Sequence, residues 1–454
     1  MSKALLALLV VIAGLWAQAP PHIAIRGARI VPVSGPVIEK GTVLLREGLI
    51  EAVGADVAVP SGVWVIEGEG LTVYPGLMDA LSTVGMEAPR RPSPGGGAGA
   101  GAAPAGGTAG ANRARGPEDR PATTSWQKAA DSFSPTDKKI ITLRSNGFAS
   151  AAVFPTDGIA AGQGSVMQLA GDEAGAMVLA PGVGQYLTMR PTPSSAGFPS
   201  SLMGVISYIK QLYLDAEHYQ LAKAMYEEQP RGLTRPPYDR ALEGLLQSPR
   251  ILLPADKDFH IRRMIALAQT VKQPLLIYGG HEAYNALDDL KRAQIPILVN
   301  LKWPEAPANR NPDDEDDLAT LELREKAPST PALLAREGIK FAFYLGDLSK
   351  QSDIVKNVQR AREAGLKEDE LVRALTLNPA EIFGVADRLG SIEPGKIANL
   401  TVTKGDLFSK GSTVQYVFVD GVQFEPQTES PARPGTGNGG RPTPNEEASH
   451  AQRK

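Results

Sequence analysis

The sequence predicts an α/β protein in which a central series of strand and helix units lies between two β-rich segments. Three observations predict this fold class. Residues 23–73 alternate short β-branched runs with turn residues, residues 138–384 alternate apolar runs with longer amphipathic stretches, and a β pattern returns after Gly390. Because strands that alternate with helices imply parallel βα units, the central region is expected to form a barrel or a doubly wound sheet. The two β-rich ends are expected to meet in one small domain.

The first residues have the three-part pattern of a secretory signal peptide. Lys3 is followed by the apolar run 4–16 and then by Ala17-Gln18-Ala19. The alternative is a single membrane anchor, but the run is shorter than the roughly 20 apolar residues that span a bilayer as a helix. We therefore expect residues 1–19 to be a signal peptide and the mature protein to be exported, periplasmic or extracellular, without a membrane span after cleavage.

The central elements follow one another in a regular order. The apolar runs expected as strands are ASAAVF, RILLP, PLLIY, IPILVN and IKFAFYLGD. The stretches expected as helices include MGVISYIKQLYLDAEHYQLAKAMYEEQ, DFHIRRMIALAQTV, EAYNALDDLKRAQ and DIVKNVQRAREAG. The segments GSIEPGKIANLTVT and VQYVFVDGVQF then return to the β-domain. Residues 91–117 and 427–454 are rich in Gly, Pro and small or charged residues, so they are expected to be a disordered insertion and a disordered tail.

Composition restricts the chemistry that the chain can perform. Its 454 residues carry 47 Lys and Arg against 50 Asp and Glu, and this formal charge of -3 gives no field that would attract nucleic acid. The chain has no cysteine, which excludes disulfides, thiolate nucleophiles and zinc-thiolate sites. Any metal must therefore be held by histidines and carboxylates. The five histidines are His22, His218, His260, His281 and His450.

Three stretches resemble the amidohydrolase superfamily and, within it, the exported imidazolonepropionase-like members. VYPGLMDALST resembles the start of barrel strand 1, usually written PGLIDAHTH. GFASAAVFPTDGIAAGQGSVMQLAG resembles the second strand and the Gly-rich loop after it, and LVRALTLNPAEIFGVADRLGSIEPGKIANLTV resembles the closing signature. The resemblance implies a distorted (β/α)8 TIM-like barrel over residues 76–385. It also implies a small β-sandwich domain built from residues 23–75 and 386–425.

The resemblance also implies a metal site at the carboxyl ends of the barrel strands. Active members are expected to hold one or two divalent metals through a His-x-His pair on strand 1, a Lys or Glu on strand 4, histidines on strands 5 and 6, and an Asp on strand 8. Zinc, iron or manganese would be the metal. Such a metal lowers the pKa of a bound water to about 7 and polarises the scissile carbonyl.

Several of these ligand positions hold other residues in this chain. The strand-1 motif places Leu81 and Thr83 where the two histidines are expected, and RILLPADKDFHI places Pro254 at the strand-5 histidine. Leucine and proline side chains offer no lone pair, and a neutral threonine hydroxyl is a weak ligand beside imidazole. We interpret these three as lost ligand positions, while the strand-4 residue is not identifiable.

Two candidate site residues remain. His281 follows the strand PLLIY, and Asp347 ends FAFYLGD, where the metal-binding and proton-transferring Asp of the family is expected. The alternative for His281 is a structural role as a loop or helix-capping histidine. The alternative for Asp347 is that its carboxylate caps the next turn. For His260, His218 and Asp79 a structural role is the favoured interpretation.

Two functions follow as hypotheses. In the first, the protein is an exported pseudoenzyme that has lost family-type metal hydrolysis, needs no cofactor, and binds a small molecule or has a structural role. Its partner would then be an active homologue or a second copy of itself. In the second, it is a hydrolase of carbon-nitrogen bonds other than peptide bonds, with one divalent metal held by His281 and Asp347 and with Asp347 as the catalytic residue.

Overall fold

The computed structural model describes residues 22–86, 119–192, 197–307 and 315–427. The expected signal peptide, the insertion at 91–117 and the tail beyond Gln427, with its His450, lie outside these residues. Within the described ranges we find no helix that combines the length and the apolar character needed to cross a bilayer.

The first sheet joins strands from both ends of the chain. Its strands are β1 (Ile23–Ile30), β2 (Ile38–Arg46), β3 (Leu49–Gly54), β4 (Trp64–Glu67), β5 (Leu71–Pro75), β14 (Leu400–Lys404), β15 (Thr413–Val419) and β16 (Val422–Phe424). Their order is β16-β15-β14-β5-β1-β2-β3, and β4 pairs with β1. The antiparallel pairing of β14 with β5 joins the two ends. The two β-rich ends of the chain therefore pair in one sheet, as predicted, while the domain boundaries stay a prediction.

The second sheet is a nearly closed barrel of eight strands. They are β6 (Leu77–Ser82), β7 (Phe148–Val153), β8 (Ala160–Gln168), β9 (Val178–Leu187), β10 (Ile251–Ala255), β11 (Leu275–Gly279), β12 (Ile297–Asn300) and β13 (Phe341–Tyr344). Neighbours pair in chain order and in parallel, except that β8 is antiparallel to both β7 and β9. At the seam, the backbone N–H of Leu345 donates to Asp79 Oδ1 at 3.1 Å. The predicted TIM-like barrel is thus confirmed, with one reversed strand as its distortion.

Ten α-helices surround these sheets in the described residues. They are α1 (Lys138–Ser145), α2 (Leu202–Glu228), α3 (Arg240–Gln247), α4 (Asp258–Thr270), α5 (Leu287–Ala293), α6 (Leu318–Lys326), α7 (Thr330–Arg336), α8 (Gln351–Glu363), α9 (Glu368–Leu375) and α10 (Leu377–Phe383). Several of these helices begin at a residue whose side chain accepts a hydrogen bond from the first turn. Ser201, for example, accepts from the backbone N–H of Gly204, and Asp239 accepts from the first turn of α3.

One expectation about the barrel is wrong. The Gly-rich stretch after β7 is not a loop but strand β8, all nine residues of which are buried. The physical reason lies in packing, because a Cβ on Gly164 would come within 2.1 Å of the Phe154 ring. Glycine is therefore needed here for the close approach of a strand to an aromatic ring rather than for a flexible turn.

Apolar side chains fill the barrel interior. Met78, Leu252, Leu276 and Leu298 come from four different strands, and each is exposed by 1% or less. Phe383 of α10 joins the same cluster. A second and larger cluster packs the outer faces of the strands against the helices. The barrel is therefore a packed core, and side chains at the strand ends are the ones free for chemistry.

Candidate functional site at the barrel mouth

Seven strands of the barrel, β6, β7 and β9 to β13, run in the same direction and end at one rim, which we call the mouth. Catalytic and binding groups of such barrels lie at this end. The residues in or just after these strand ends include Leu81, Thr83, Phe154, Thr188, Pro254, Asp256, His281, Asn300, Lys302 and Asp347.

The three positions interpreted as lost ligands have different surroundings. Leu81 is partly buried and packs against the apolar cluster of the barrel interior. Pro254 lies within β10, in register with Tyr278 of β11. Thr83 lies beyond the end of β6 and is exposed, and its carbonyl accepts from Met86 N at 3.1 Å. None of these three side chains supplies a strong metal donor at the mouth.

Aromatic rings pack in the interior at the mouth. Tyr186 stacks on Tyr278 with ring centroids 5.0 Å apart, and Phe154 lies 5.7 Å from Tyr186. Tyr344 belongs to the same interior cluster, and Tyr186 and Tyr344 are only 8% and 7% exposed. We call Tyr186, Tyr278 and Tyr344 the mouth tyrosines.

The mouth tyrosines present neutral phenols. Burial raises the pKa of each of these three hydroxyls above the usual value for tyrosine. The Tyr278 hydroxyl donates to the Leu187 carbonyl at 3.3 Å, and the Asn300 side chain opposes part of the effect of burial on the pKa of Tyr344. The mouth thus offers hydrogen-bonding groups without anionic charge from these side chains.

His281 follows β11 and is held by local contacts. Its Nε2 lies 3.2 Å from the Asn300 carbonyl, so this nitrogen carries the proton and donates. The Thr330 hydroxyl donates to the His281 carbonyl at 3.0 Å, and the indole of Trp303 lies 5.9 Å from the imidazole, centroid to centroid. These contacts fix both the backbone and the ring of the histidine.

Asp256 is the charged group beside His281. Its Oδ1 lies 3.8 Å from His281 Nδ1, which is too long for a direct hydrogen bond. The turn after β11 permits this approach, because Gly279 has φ +112° and a Cβ there would come within 2.4 Å of Asp256 Oδ1. Burial lowers the pKa of His281 from its ordinary value of 6.5, and the Asp256 carboxylate opposes this effect.

This electrostatic arrangement predicts the titration of His281. We expect Asp256→Asn to lower the His281 pKa further, because the carboxylate that favours the imidazolium is removed while burial is unchanged. NMR of the imidazole resonances between pH 4 and 8 measures the shift directly. Glu282→Gln is the matched control, since Glu282 also favours the imidazolium but contributes least. An unchanged or raised His281 pKa in Asp256→Asn would contradict this account.

Asp347 lies three residues beyond β13 and faces a cation. Lys302 Nζ donates to Asp347 Oδ2 at 2.7 Å, and the two side chains are 52% and 74% exposed. The structure therefore gives His281 and Asp347 different partners: a carbonyl and Asp256 for the first, Lys302 for the second. Their joint role as metal ligands stays a prediction.

Asp79 is the buried carboxyl of the barrel seam. It is 2% exposed, accepts from the Leu345 backbone, and also hydrogen-bonds with Ser82 and the Leu81 backbone. Burial raises the pKa of Asp79 to about 7 despite these bonds. Its hydrogen bond from Leu345 across the seam agrees with the structural role expected for it.

The donors at the mouth do not fit a metal of the family type. In the described part of the chain, no three His, Asp or Glu side chains come together in an arrangement that would hold a metal ion. Leu81 and Pro254 contribute no donor, and the Lys302 ammonium occupies one face of Asp347. A cation beside a carboxylate opposes the binding of a second, divalent cation. Catalytic zinc usually needs three protein ligands, and the mouth does not assemble them.

Two other histidines of the described residues, His218 and His260, lie on helices. His218 is exposed on α2, and His260 lies in the first turn of α4, with its ring 4.2 Å from that of Phe259. Sequence reasoning missed the mouth tyrosines as site residues. A signal existed for two of them, because the apolar runs LLIY and FAFY each place a tyrosine at the carboxyl end of a predicted strand.

The sequence profile of the amidohydrolase family matches residues 307–424, the C-terminal part of this chain. Among solved structures, an amidohydrolase from Thermotoga maritima is similar over 89% of this chain and 100% of its own length, with 26% identity and a TM-score of 0.70. No curated protein matches the sequence of this chain.

More distant structures share the fold. A prolidase complexed with N-methylphosphonate-L-proline has 17% identity and a TM-score of 0.52, over 89% of this chain and 100% of its own. Another amidohydrolase has 15% identity and a TM-score of 0.51, over 90% of this chain and 100% of its own. The family profile and the Thermotoga maritima structure together support membership of the amidohydrolase superfamily.

Proposed function

We propose that this protein is an exported, imidazolonepropionase-like member of the superfamily that no longer performs family-type metal-dependent hydrolysis and keeps a ligand-binding role. One observation carries the proposal: at the mouth, Leu81 packs against the apolar cluster of the barrel interior and Pro254 lies in register with Tyr278, so neither position holds an imidazole donor. The N-terminal signal pattern is the basis for export. The residues that assemble a metal in active members have thus been replaced by residues that pack.

The chemistry of the mouth favours a small, uncharged or weakly polar ligand. The mouth tyrosines supply apolar ring faces and neutral hydroxyls, and Asn300 adds a side-chain amide. Ligand sites in proteins typically combine such apolar surface with a few fixed polar groups. A ligand that hydrogen-bonds to phenol and amide groups would fit these residues without a metal.

The second candidate is a hydrolase of carbon-nitrogen bonds other than peptide bonds, with a reduced single-metal site. The observation in its favour is the approach of the Asp256 carboxylate to the His281 imidazole at 3.8 Å. His281 and Asp347 would hold the metal, and Asp347 would move the proton. Against it stand the Nε2 bond of His281 to a carbonyl and the ion pair of Asp347 with Lys302.

A hydrolysis assay separates the two candidates. Purified protein is incubated with cyclic amides and other non-peptide amides in the presence of zinc, manganese or iron. We expect no turnover above that of matched preparations of His281→Ala and Asp347→Asn, because the donor set does not fit the metal. Turnover by the wild type that both variants lose would overturn the proposal and support the single-metal hydrolase.

A further inference from the structure

The C-terminal third of helix α2 contains no buried side chain. All buried residues of α2 lie between Val205 and Tyr219, and none of the residues from Gln220 to Glu228 is buried. Most helical stability in proteins comes from packing of an apolar face, and short helices without such packing are marginal in water. Among the residues that the structure describes, the last turns of α2 therefore bury no side chain fully, and an ion pair of Lys223 with Glu243 is among their contacts.

An apolar stripe runs along the outward face of α2. Met203, Leu214, Leu221 and Met225 are 80%, 57%, 59% and 59% exposed. They lie about three, two and one helical turns apart, which places them on one face, opposite the buried face. We call these four residues the α2 stripe. A row of exposed apolar side chains on one helix face, as formed by Leu214, Leu221 and Met225, marks an interaction site more often than isolated exposed residues do.

Two unpaired charges lie on the same face of α2: one within the α2 stripe, between Met203 and Leu214, and one just beyond Met225. Lys210 lies on the same face about one turn before Leu214, and Glu228 lies about one turn after Met225. Other charges of α2 are paired within the chain, such as Glu217 with Lys272 and Lys223 with Glu243. Over the ranges that the structure describes, Lys210 and Glu228 have no ion-pair partner.

We propose that two copies of this chain form a two-fold dimer through antiparallel pairing of their α2 stripes. Antiparallel alignment about a centre between Tyr219 and Gln220 places Leu214 beside Met225 of the second copy. The same alignment places Lys210 within reach of Glu228 of the second copy, twice, because of the two-fold symmetry. The stripe and its charges are thus complementary to themselves, which a two-fold interface requires.

Self-complementarity is what favours a second copy over another partner. A two-fold interface uses one surface twice, so apolar must meet apolar and opposite charges must meet under the same operation. In a single register, Leu214 meets Met225 of the second copy, Leu221 lies near the two-fold axis, and Lys210 meets Glu228, whereas Met203 lies beyond the overlap of the two helices. This surface is separate from the mouth, and the proposal does not depend on the function proposed for the mouth.

Sedimentation or light scattering of the mature full-length protein tests the dimer. We expect a dimer at micromolar concentration, and a dissociation constant roughly 100-fold weaker in Leu221→Glu, because a carboxylate then faces apolar side chains in the interface. Leu318→Glu is the matched control, since Leu318 is 71% exposed on a different helix. A monomeric wild type, or a dimer that Leu221→Glu leaves intact, would overturn the proposal. Circular dichroism is the check that each variant is folded.

A charge exchange tests the register. Lys210→Glu and Glu228→Lys should each weaken the dimer, because each places like charges together at two symmetric positions. The double variant Lys210→Glu with Glu228→Lys should recover most of the wild-type affinity. A double variant no stronger than the single ones would show that the two residues do not meet across the interface.

Crosslinking tests the antiparallel direction. Because the chain has no cysteine, an introduced cysteine is its only thiol. His218 lies close to the proposed two-fold axis and Met203 lies far from it, so a short bismaleimide should link His218→Cys into dimers much faster than Met203→Cys. Equal crosslinking of the two variants would indicate a parallel pair and contradict the proposal.

Discussion

Replacing Asp79 with asparagine should remove a strong pH dependence from the stability of the fold. Burial raises the pKa of Asp79 from 3.8 to about 7. A carboxyl whose pKa is raised by folding contributes its full stability below about pH 4, and this contribution is lost progressively as the pH rises from about 4 to about 7. The difference amounts to up to about 4 kcal/mol, of which about 3 kcal/mol falls between pH 5 and pH 8.

The measurement compares urea unfolding of the wild type and Asp79→Asn at both pH values. We expect the variant to gain about 3 kcal/mol relative to the wild type between pH 5 and pH 8. The comparison cancels any fixed effect of the amide on the bond from Leu345. Asp56→Asn, at an exposed position, should change the unfolding free energy little at either pH. A difference for Asp79→Asn that does not vary with pH would contradict a buried titrating group at the barrel seam.

A methyl group on Gly164 should destabilise the barrel by about 3 kcal/mol. A Cβ there would come within 2.1 Å of Phe154, whose ring is fully buried. Phe154 cannot move freely, because Tyr186 and Phe383 lie 5.7 and 6.1 Å from it, centroid to centroid. Thermal or chemical unfolding of Gly164→Ala measures the loss.

Two further variants show whether the Phe154 ring is responsible. Gly175→Ala is the matched control, because nothing lies within 4 Å of a Cβ at that position, and it should change stability little. Combining Gly164→Ala with Phe154→Leu should recover part of the loss, since the smaller side chain leaves room for the methyl group. Additive effects of the two substitutions would mean that the close approach does not limit packing here.

Local patterns in the sequence are enough to predict the general architecture. The alternation of apolar runs with amphipathic stretches predicts the order of β10 to β13 and their helices, and the two β-rich ends predict the shared sheet. These features depend on periodicity within single elements, which a sequence shows directly.

Features that depend on contacts between distant elements are not predictable in the same way. The glycines of β8 indicate a flexible loop when they are considered alone, and only the Phe154 ring beside Gly164 explains a buried strand. The stacking of Tyr186 on Tyr278 likewise depends on the side-by-side placement of β9, β10 and β11. Such placements arise from the register of the whole barrel.

In the candidate site, too, some features are predictable from the sequence and others depend on contacts between distant elements. The replacements Leu81 and Pro254 are visible in the motif, because a histidine is simply absent there. The partner of Asp347 is not visible, because Lys302 follows a different strand and approaches only in the folded barrel. The approach of Asp256 to His281 also depends on Gly279, because a Cβ at that position would come within 2.4 Å of Asp256 Oδ1.

The most direct test of the central claim is the metal content of the purified mature protein. Elemental mass spectrometry is performed after incubation with zinc, manganese or iron and removal of free metal, on the wild type and on His281→Ala. We expect far less than one tightly held metal per chain in both proteins, because the described residues at the mouth do not bring together the donors of such a site. About one metal per wild-type chain, lost in His281→Ala, would contradict the claim and restore the single-metal hydrolase.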